Sequence, residues 1–215
     1  MAWVISGGHW TEEDKARYPE VRMSHHWKNL DGDTRQLEVI DASQDDGGLM
    51  SGRSPQDGRP IRDKNVPTRL ERTGPTLEEY PLQDVLSYWS GNLLVCKAFR
   101  DLLEEMEPGV HQFFPMDLLV NGTKVATYYW FVCCTRLATL AADHCYPPLN
   151  PRGFWKPSPF GQNQGDRVVL SKRLIGAHHA WYDKFYGKTF FSNAFAERLQ
   201  TLKLTGIDSF QFPEV

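Results

Sequence analysis

The sequence has no surplus of positive charge: 24 Lys and Arg stand against 27 Asp and Glu, a net charge of -3 with histidine neutral. Binding a phosphate backbone calls for an unbalanced patch of cations, so direct recognition of nucleic acid is not expected. Long apolar runs are missing too. The longest, Val125 to Cys134, contains Thr127 and two tyrosines and falls short of the roughly 20 residues that span a bilayer. Cysteine is scarce and unpaired in spacing: Cys96, Cys133, Cys134 and Cys145 form no repeated CxxC, and the adjacent Cys133-Cys134 suits a disulfide framework poorly. The opening residues Met1 to Ser6 carry no basic region, and their apolar run stops at Gly7-Gly8, unlike a secretory leader. The expectation is a cytoplasmic protein that folds without disulfides, metals or other cofactors.

Catalytic signatures are equally thin. The 7 histidines include the pairs His25-His26 and His178-His179, but neighbours on a strand point to opposite faces, and no HExxH or zinc-type Cys/His spacing occurs. Neither Cys133 nor Cys145, beside His144, sits in a recognisable nucleophile motif, so inert packing is expected of all 4 cysteines. Ser6-Gly7-Gly8-His9 and Asp46-Gly47-Gly48 match no phosphate-binding glycine loop. The paired acids Glu12-Glu13, Glu78-Glu79 and Glu104-Glu105 read as solvated helix faces. No catalytic constellation emerges.

What is present is aromatic bulk, 13% of a 215-residue chain with 7 Trp, enough to build much of the core of one large domain spanning residues 1–215. Residues 2–6 read as a short buried strand. Residues 41–76 are punctuated by Asp, Gly and Pro and read as a long polar surface loop. Pro81 interrupts the apolar spacing from Leu77 to Ser90, which predicts a helix starting near that proline. A strand at Leu93–Cys96 leads into a helix with Phe99, Leu102, Leu103 and Met106 on one stripe, stopped by Pro108-Gly109. Strands are expected at Val110–Pro115, Met116–Val120 and Lys124–Val132, the last two flanking Asn121-Gly122, a dipeptide suited to a type I′ hairpin turn. After an irregular, Pro-rich stretch over 146–165 come a strand at Arg167–Leu170, a helix over Asn193–Leu202 and a terminal strand through Phe210 to Phe212.

Two segments resemble each other. Val95 to Leu103 and Phe191 to Leu199 share an Ala-Phe pair within a strand-helix pattern, and each runs on to a Phe-Pro pair, Phe114-Pro115 and Phe212-Pro213. Duplication and two similar ways of laying a helix on a sheet both remain open readings. Either predicts an α+β fold, a twisted and mainly antiparallel sheet with packed helices.

The C-terminal part carries a family resemblance. Leu174 to Lys184, then Phe190-Phe191-Ser192-Asn193, Arg198-Leu199, Leu204-Thr205-Gly206-Ile207 and Phe212-Pro213 resemble the closing pattern of immunity family eleven of bacterial polymorphic toxin systems, formerly a domain of unknown function. Phe113-Phe114-Pro115 and the strand after Asn121-Gly122 are similar too. The likeness is best over residues 90–215, and it departs from the pattern at Asn193, where an acidic residue is expected, and at Cys133-Cys134. It implies a non-enzymatic cytoplasmic protein that binds a cognate secreted antibacterial toxin, encoded by an adjacent gene, and protects the producing cell. The toxin would be an effector of a contact-dependent or type VI secretion system. Against a nuclease toxin with a basic cleft, the acids Asp41, Asp45, Asp46 and Asp57 are the expected partner-binding residues. Two other readings stand beside this one: a secretion-system adaptor that binds an effector without inhibiting it, and a metal- or cysteine-dependent hydrolase using His178, His179 or Cys145.

Overall fold

The computed structural model describes residues 1–22, 26–40, 57–88, 91–151, 155 and 165–215. Along the chain run β1 (Ala2–Ser6), α1 (Glu12–Arg17), β2 (Lys28–Asn29), β3 (Arg69–Arg72), β4 (Val85–Ser87), β5 (Leu93–Val95) and α2 (Lys97–Met106). They are followed by β6 (Gln112–Val120), β7 (Thr123–Val132), β8 (Arg136–Leu137), α3 (Lys172–Ile175), β9 (Ala180–Asp183), β10 (Lys188–Ser192), α4 (Asn193–Thr201) and β11 (Asp208–Phe212). The result is the expected sheet-rich α+β fold, with two sheets. One has the order β2-β3-β6-β7-β5-β4 and the other β11-β1-β10-β9-β8. Only β3–β6 and β8–β9 pair in parallel among these strands.

The β6–β7 hairpin forms where the dipeptide predicts it. Asn121 and Gly122 take φ of 49° and 81°, the positive values that match a two-residue turn to strand twist. Helix α2 buries Phe99, Leu102 and Leu103, and α4 buries Phe195, Ala196 and Leu199. Both apolar stripes face the space between the sheets. There Ile5, Val95, Phe131 and Phe191 from the strands close one shared cluster around the two helices, with Phe99 and Phe195 in edge contact at 5.3 Å.

The strand-helix-strand repeat is real in space and larger than the sequence indicates. In the first sheet β5 and β6 flank β7; in the second β10 and β11 flank β1. Phe99 and Phe195, Leu103 and Leu199, and the strand starts Gln112 and Asp208 are each 96 residues apart. The likeness continues outward. Leu70 pairs in parallel with Leu118 and antiparallel with Asn29, while Leu170 pairs in parallel with Glu214 and antiparallel with Leu140. Val39 bridges Ile61 as Tyr146 bridges Arg167. Each half therefore follows one plan, except that the last strand of the second half, β1, comes from the chain's N-terminus. The Met1 ammonium pairs with Glu214 at 2.7 Å, tying the start of β1 to the segment that follows β11.

Several expectations need correction. Phe114-Pro115 does not close a copy: it lies inside β6, where Phe114 opposes Trp130, and its counterpart by pairing is Phe210 opposite Val4. The segments expected at Val110–Pro115 and Met116–Val120 are one strand. Pro115 is tolerated there because β3 reaches β6 only over Asp117–Val120, leaving no partner to miss its N–H. No helix starts at Pro81; β4 lies there, because Val85 and Leu86 pair with Val95 and Leu94 and are buried in different clusters on the two sheet faces. Arg167–Leu170 makes isolated bridges, not a strand. Residues 41–56 lie outside the described residues, but the rest of the expected polar loop contains β3. Its Arg72 is 1% exposed, lies 4.5 Å over the Tyr80 ring and donates to the Pro75 and Tyr80 carbonyls, which lets a polar-looking tetrapeptide be buried.

Candidate binding groove

The outer faces of the two sheets can be compared position by position, and they differ at one place. On the first sheet Trp130 is fully buried, with Tyr88 edge-on at 5.6 Å and Phe114 at 6.1 Å. Beside it Ile61, 1% exposed, is clasped through its own backbone: the Gln112 carboxamide accepts from Ile61 N and donates to Ile61 O, both at 2.8 Å. On the second sheet Val4 stands where Trp130 does, Arg167 where Ile61 does, and Asp208 where Gln112 does. The filling is gone.

In its place is an open groove of about 740 Å³, within the size range of binding clefts. Val4 lies in it, Phe210 and Phe212 line it from β11, Tyr186 and Trp155 close one side, and Lys188 and Arg167 stand at its rim. The aromatic wall is held by mutual contacts: Tyr186 meets Trp155 at 5.6 Å and Phe212 at 5.8 Å, and Phe190 meets Phe212 at 5.3 Å. Burial pushes the Tyr186 hydroxyl pKa up. The indole N–H of Trp155, a residue 4% exposed, has no acceptor among the described residues. Phe210, at 54% exposed, is the least covered aromatic of the groove, unlike its half-buried counterpart Phe114.

The strand carrying Phe210 is also an edge. β11 pairs with β1 on one side, and among the described residues no hydrogen bond reaches the other side of Asp208–Phe212. Alternate backbone N–H and C=O groups of such a strand face outward and are available to another chain.

A second cluster lies at the seam between the halves. Glu107, the residue capping α2, is 7% exposed and accepts from Ala180 N of β9 at 2.8 Å and from His111 Nε2 at 2.9 Å. The His111 Nδ1 accepts from Cys134 N at 3.2 Å, which places the ring proton on Nε2. Burial raises the Glu107 pKa, but the His111 hydrogen bond and the His179 and Ala180 backbone N–H groups outweigh it and hold the carboxyl at about 2. At the matching seam, Val85 N donates to the backbone carbonyl of Thr205 at 3.2 Å, so a carboxylate does on one side what a peptide group does on the other.

The chain matches the immunity protein family Imm11 over residues 10–212. It belongs to that family. A comparison with curated proteins gave no match. The Imm11 match extends well beyond residues 90–215, where the sequence likeness is easiest to see, and takes in both halves of the repeat; it supports a role in toxin immunity. For an Imm11 chain the groove deserves comparison with the residues expected from sequence. Asp41, Asp45 and Asp46 lie outside the described residues. Asp57 is 3% exposed and receives the Tyr182 hydroxyl at 3.4 Å, so its carboxylate is turned inward and is not offered to a partner. His178 reaches Glu107 at 3.4 Å, His179 meets Ser192 Oγ at 2.8 Å, and Cys145 is buried in another cluster with its thiol donating to the Val169 carbonyl and its pKa raised by burial. The structure thus joins His178 to Glu107 and His111 but does not bring Cys145 to them. Among the described residues no group of 3 or more His, Cys, Asp or Glu is disposed to hold a metal. No helix among them is long and apolar enough to cross a membrane.

The groove itself was invisible in the sequence because its walls come from five separated segments. The usable signal was the repeat: setting Phe210 against Phe114 leads to Val4 against Trp130.

Proposed function

We propose that this protein is the non-enzymatic immunity partner of a secreted antibacterial toxin, which it binds and neutralises in the cytoplasm of the cell that makes both. The observation that carries this reading is membership of the Imm11 immunity family across nearly the whole chain. The aromatic groove beside a strand edge that receives no hydrogen bond among the described residues supports it, because aromatic-lined concavities with a polar rim are what protein and peptide partners occupy. If the toxin is a nuclease, the acids Asp41, Asp45 and Asp46 are suited to steer its basic cleft, whereas the buried Asp57 is not.

The test is co-expression of this protein with the toxin-type product of the adjacent gene. A complex that survives purification and restores growth supports the reading. A complex without restored growth points to an adaptor, and neither complex nor rescue removes the immunity assignment. Neutralising Asp41, Asp45 and Asp46 together should slow association and flatten its salt dependence; unchanged kinetics would discard the acids.

A further inference from the structure

The geometry points to the occupant of the groove. We propose that the toxin docks by an extended segment that lies along the free edge of β11 and places an aromatic side chain over Val4, with an acidic residue near Lys188. This rests on the immunity reading and names the surface and the chemistry by which it would work.

The first half of the molecule supplies the template. At the position equivalent to Val4, the space is taken by the Trp130 indole, and a stretch of extended chain crosses beside it with Ile61 clasped by Gln112 through both of its backbone groups. The second half keeps the surrounding rings, Phe210, Phe212 and Tyr186, but lacks the indole, and its own crossing segment carries Arg167 where the first half carries Ile61. What fits is therefore an aromatic group, and it needs a backbone to carry it. The backbone requirement is met independently, since the outer side of Asp208–Phe212 receives no hydrogen bond among the described residues, and an added strand would satisfy it. The charge requirement is set by Lys188, which is exposed at the rim with no ion pair among the described residues, and by the exposed Arg167, whose Nε donates to the His144 carbonyl at 3.0 Å. Two cations against the one acid of the lining, Asp166, favour a carboxylate flanking the aromatic anchor.

The experiment measures binding of the full-length protein to the adjacent gene's toxin, in an inactivated form, together with backbone hydrogen exchange. The variants are Val4→Trp, which fills the groove with the residue its own twin uses, Phe210→Ser at an exposed ring, and Lys188→Glu. The expected result is tight binding by the wild type, at least 30-fold weaker binding by Val4→Trp and Phe210→Ser, about 10-fold weaker binding by Lys188→Glu, and slowed exchange of β11 amides on adding toxin. Phe210→Ser keeps the test decisive if Val4→Trp fails to fold. Wild-type binding that both groove variants retain, with β11 exchange unchanged, would overturn the groove proposal while leaving the immunity assignment standing. A concentration-dependent dimer of the protein alone, abolished by Phe210→Ser, would assign the edge to a second copy and overturn it too. A wild type that neither binds nor rescues overturns the immunity reading itself.

Discussion

The two halves of this molecule follow one plan and differ in how each finishes its outer face. In the first half the chain covers its own sheet: Trp130 fills the centre, Ile61 crosses beside it, and Phe114 is half-buried. In the second half Val4, Arg167 and the 54% exposed Phe210 leave that same place open. Packing alone gives no reason for the omission, since the twin shows that the scaffold accepts an indole there. A surface that one copy completes and the other leaves unfinished is better explained by a function for the second.

The inner faces differ much less, and the largest expected effects lie there. Phe99 and Phe195 occupy equivalent helix positions, both are fully buried, and their rings touch. Truncating either to Ala should cost about 3–5 kcal/mol. Because the two residues share one cavity, the double variant should lose less than the sum of the singles by about 1 kcal/mol or more. Urea unfolding followed by two probes, one in each half, checks this. If Phe195→Ala loosens hydrogen exchange only in the second half, the halves are separate folding units and the shared core does not unite them.

The reciprocal exchange at the outer faces sharpens the comparison. Trp130→Val should cost about 3 kcal/mol, near the low end for losing a buried indole, because Trp130 Nε1 has no hydrogen-bond partner among the described residues and its removal relieves one unsatisfied donor. Val4→Trp should change stability by less than about 1 kcal/mol, since it enters space that is already open. Thermal unfolding of both variants decides the matter. Similar losses in the two would mean the outer faces are packed alike and the groove is an ordinary surface hollow.

Some of this organisation was legible in the sequence, and the limits are physical. The hairpin at Asn121-Gly122 and the two helices announce themselves because a positive-φ dipeptide and a 3.6-residue stripe are local signals. β3 does not, because Arg69-Leu70-Glu71-Arg72 offers a single apolar side chain and is buried through the stem and cation-π contacts of Arg72. β4 reads as a helix in the sequence because its apolar residues serve both faces of a sheet, which blurs the alternation that marks a strand. The repeat shows through Ala98-Phe99 and Ala194-Phe195, but the Phe-Pro pairs mislead, because Phe114 matches Phe210 and not Phe212. The strand that would have corrected the register, β1, stands at the opposite end of the chain from its copy.

The seams between the halves give a smaller, pH-dependent contrast. Glu107 bonds to Ala180 and His111 as a carboxylate whose pKa, about 2, lies below its ordinary 4.5. The stability it contributes is therefore complete above about pH 4.5 and is lost as the pH falls through about 2. Glu107→Gln keeps an acceptor for Ala180 N but not the charge, and should cost about 2 kcal/mol at neutral pH while flattening the acid limb of the stability curve. Denaturant midpoints at pH 7 and pH 3 would show it. At the other seam the Asp84 carboxylate accepts from Thr205 N at 2.8 Å and from Thr205 Oγ1 at 2.7 Å beside the Val85–Thr205 backbone bond, so an acid limb that survives in Glu107→Gln must come from there or from another carboxylate.

The mildest contrast is at the helix starts. Ser192 caps α4 by accepting from Phe195 N at 3.1 Å, whereas Cys96, at the equivalent position of α2, makes no side-chain cap bond. Burial raises the Cys96 thiol pKa, and the Phe99 and Ala98 N–H groups offset this only in part, so the sulfur sits at the cap position as a poor acceptor. Ser192→Cys should therefore lose about 1 kcal/mol, and Cys96→Ser should gain about 0.5 kcal/mol, less than the reverse loss because the sulfur also packs against both neighbouring clusters. In a chain of this size those changes correspond to roughly 2–4 °C down and about 1–2 °C up in Tm, which calorimetry resolves. If Cys96→Ser loses stability, sulfur packing outweighs the cap at α2, and the cysteine is there because the first half needs apolar volume where the second uses a hydrogen bond.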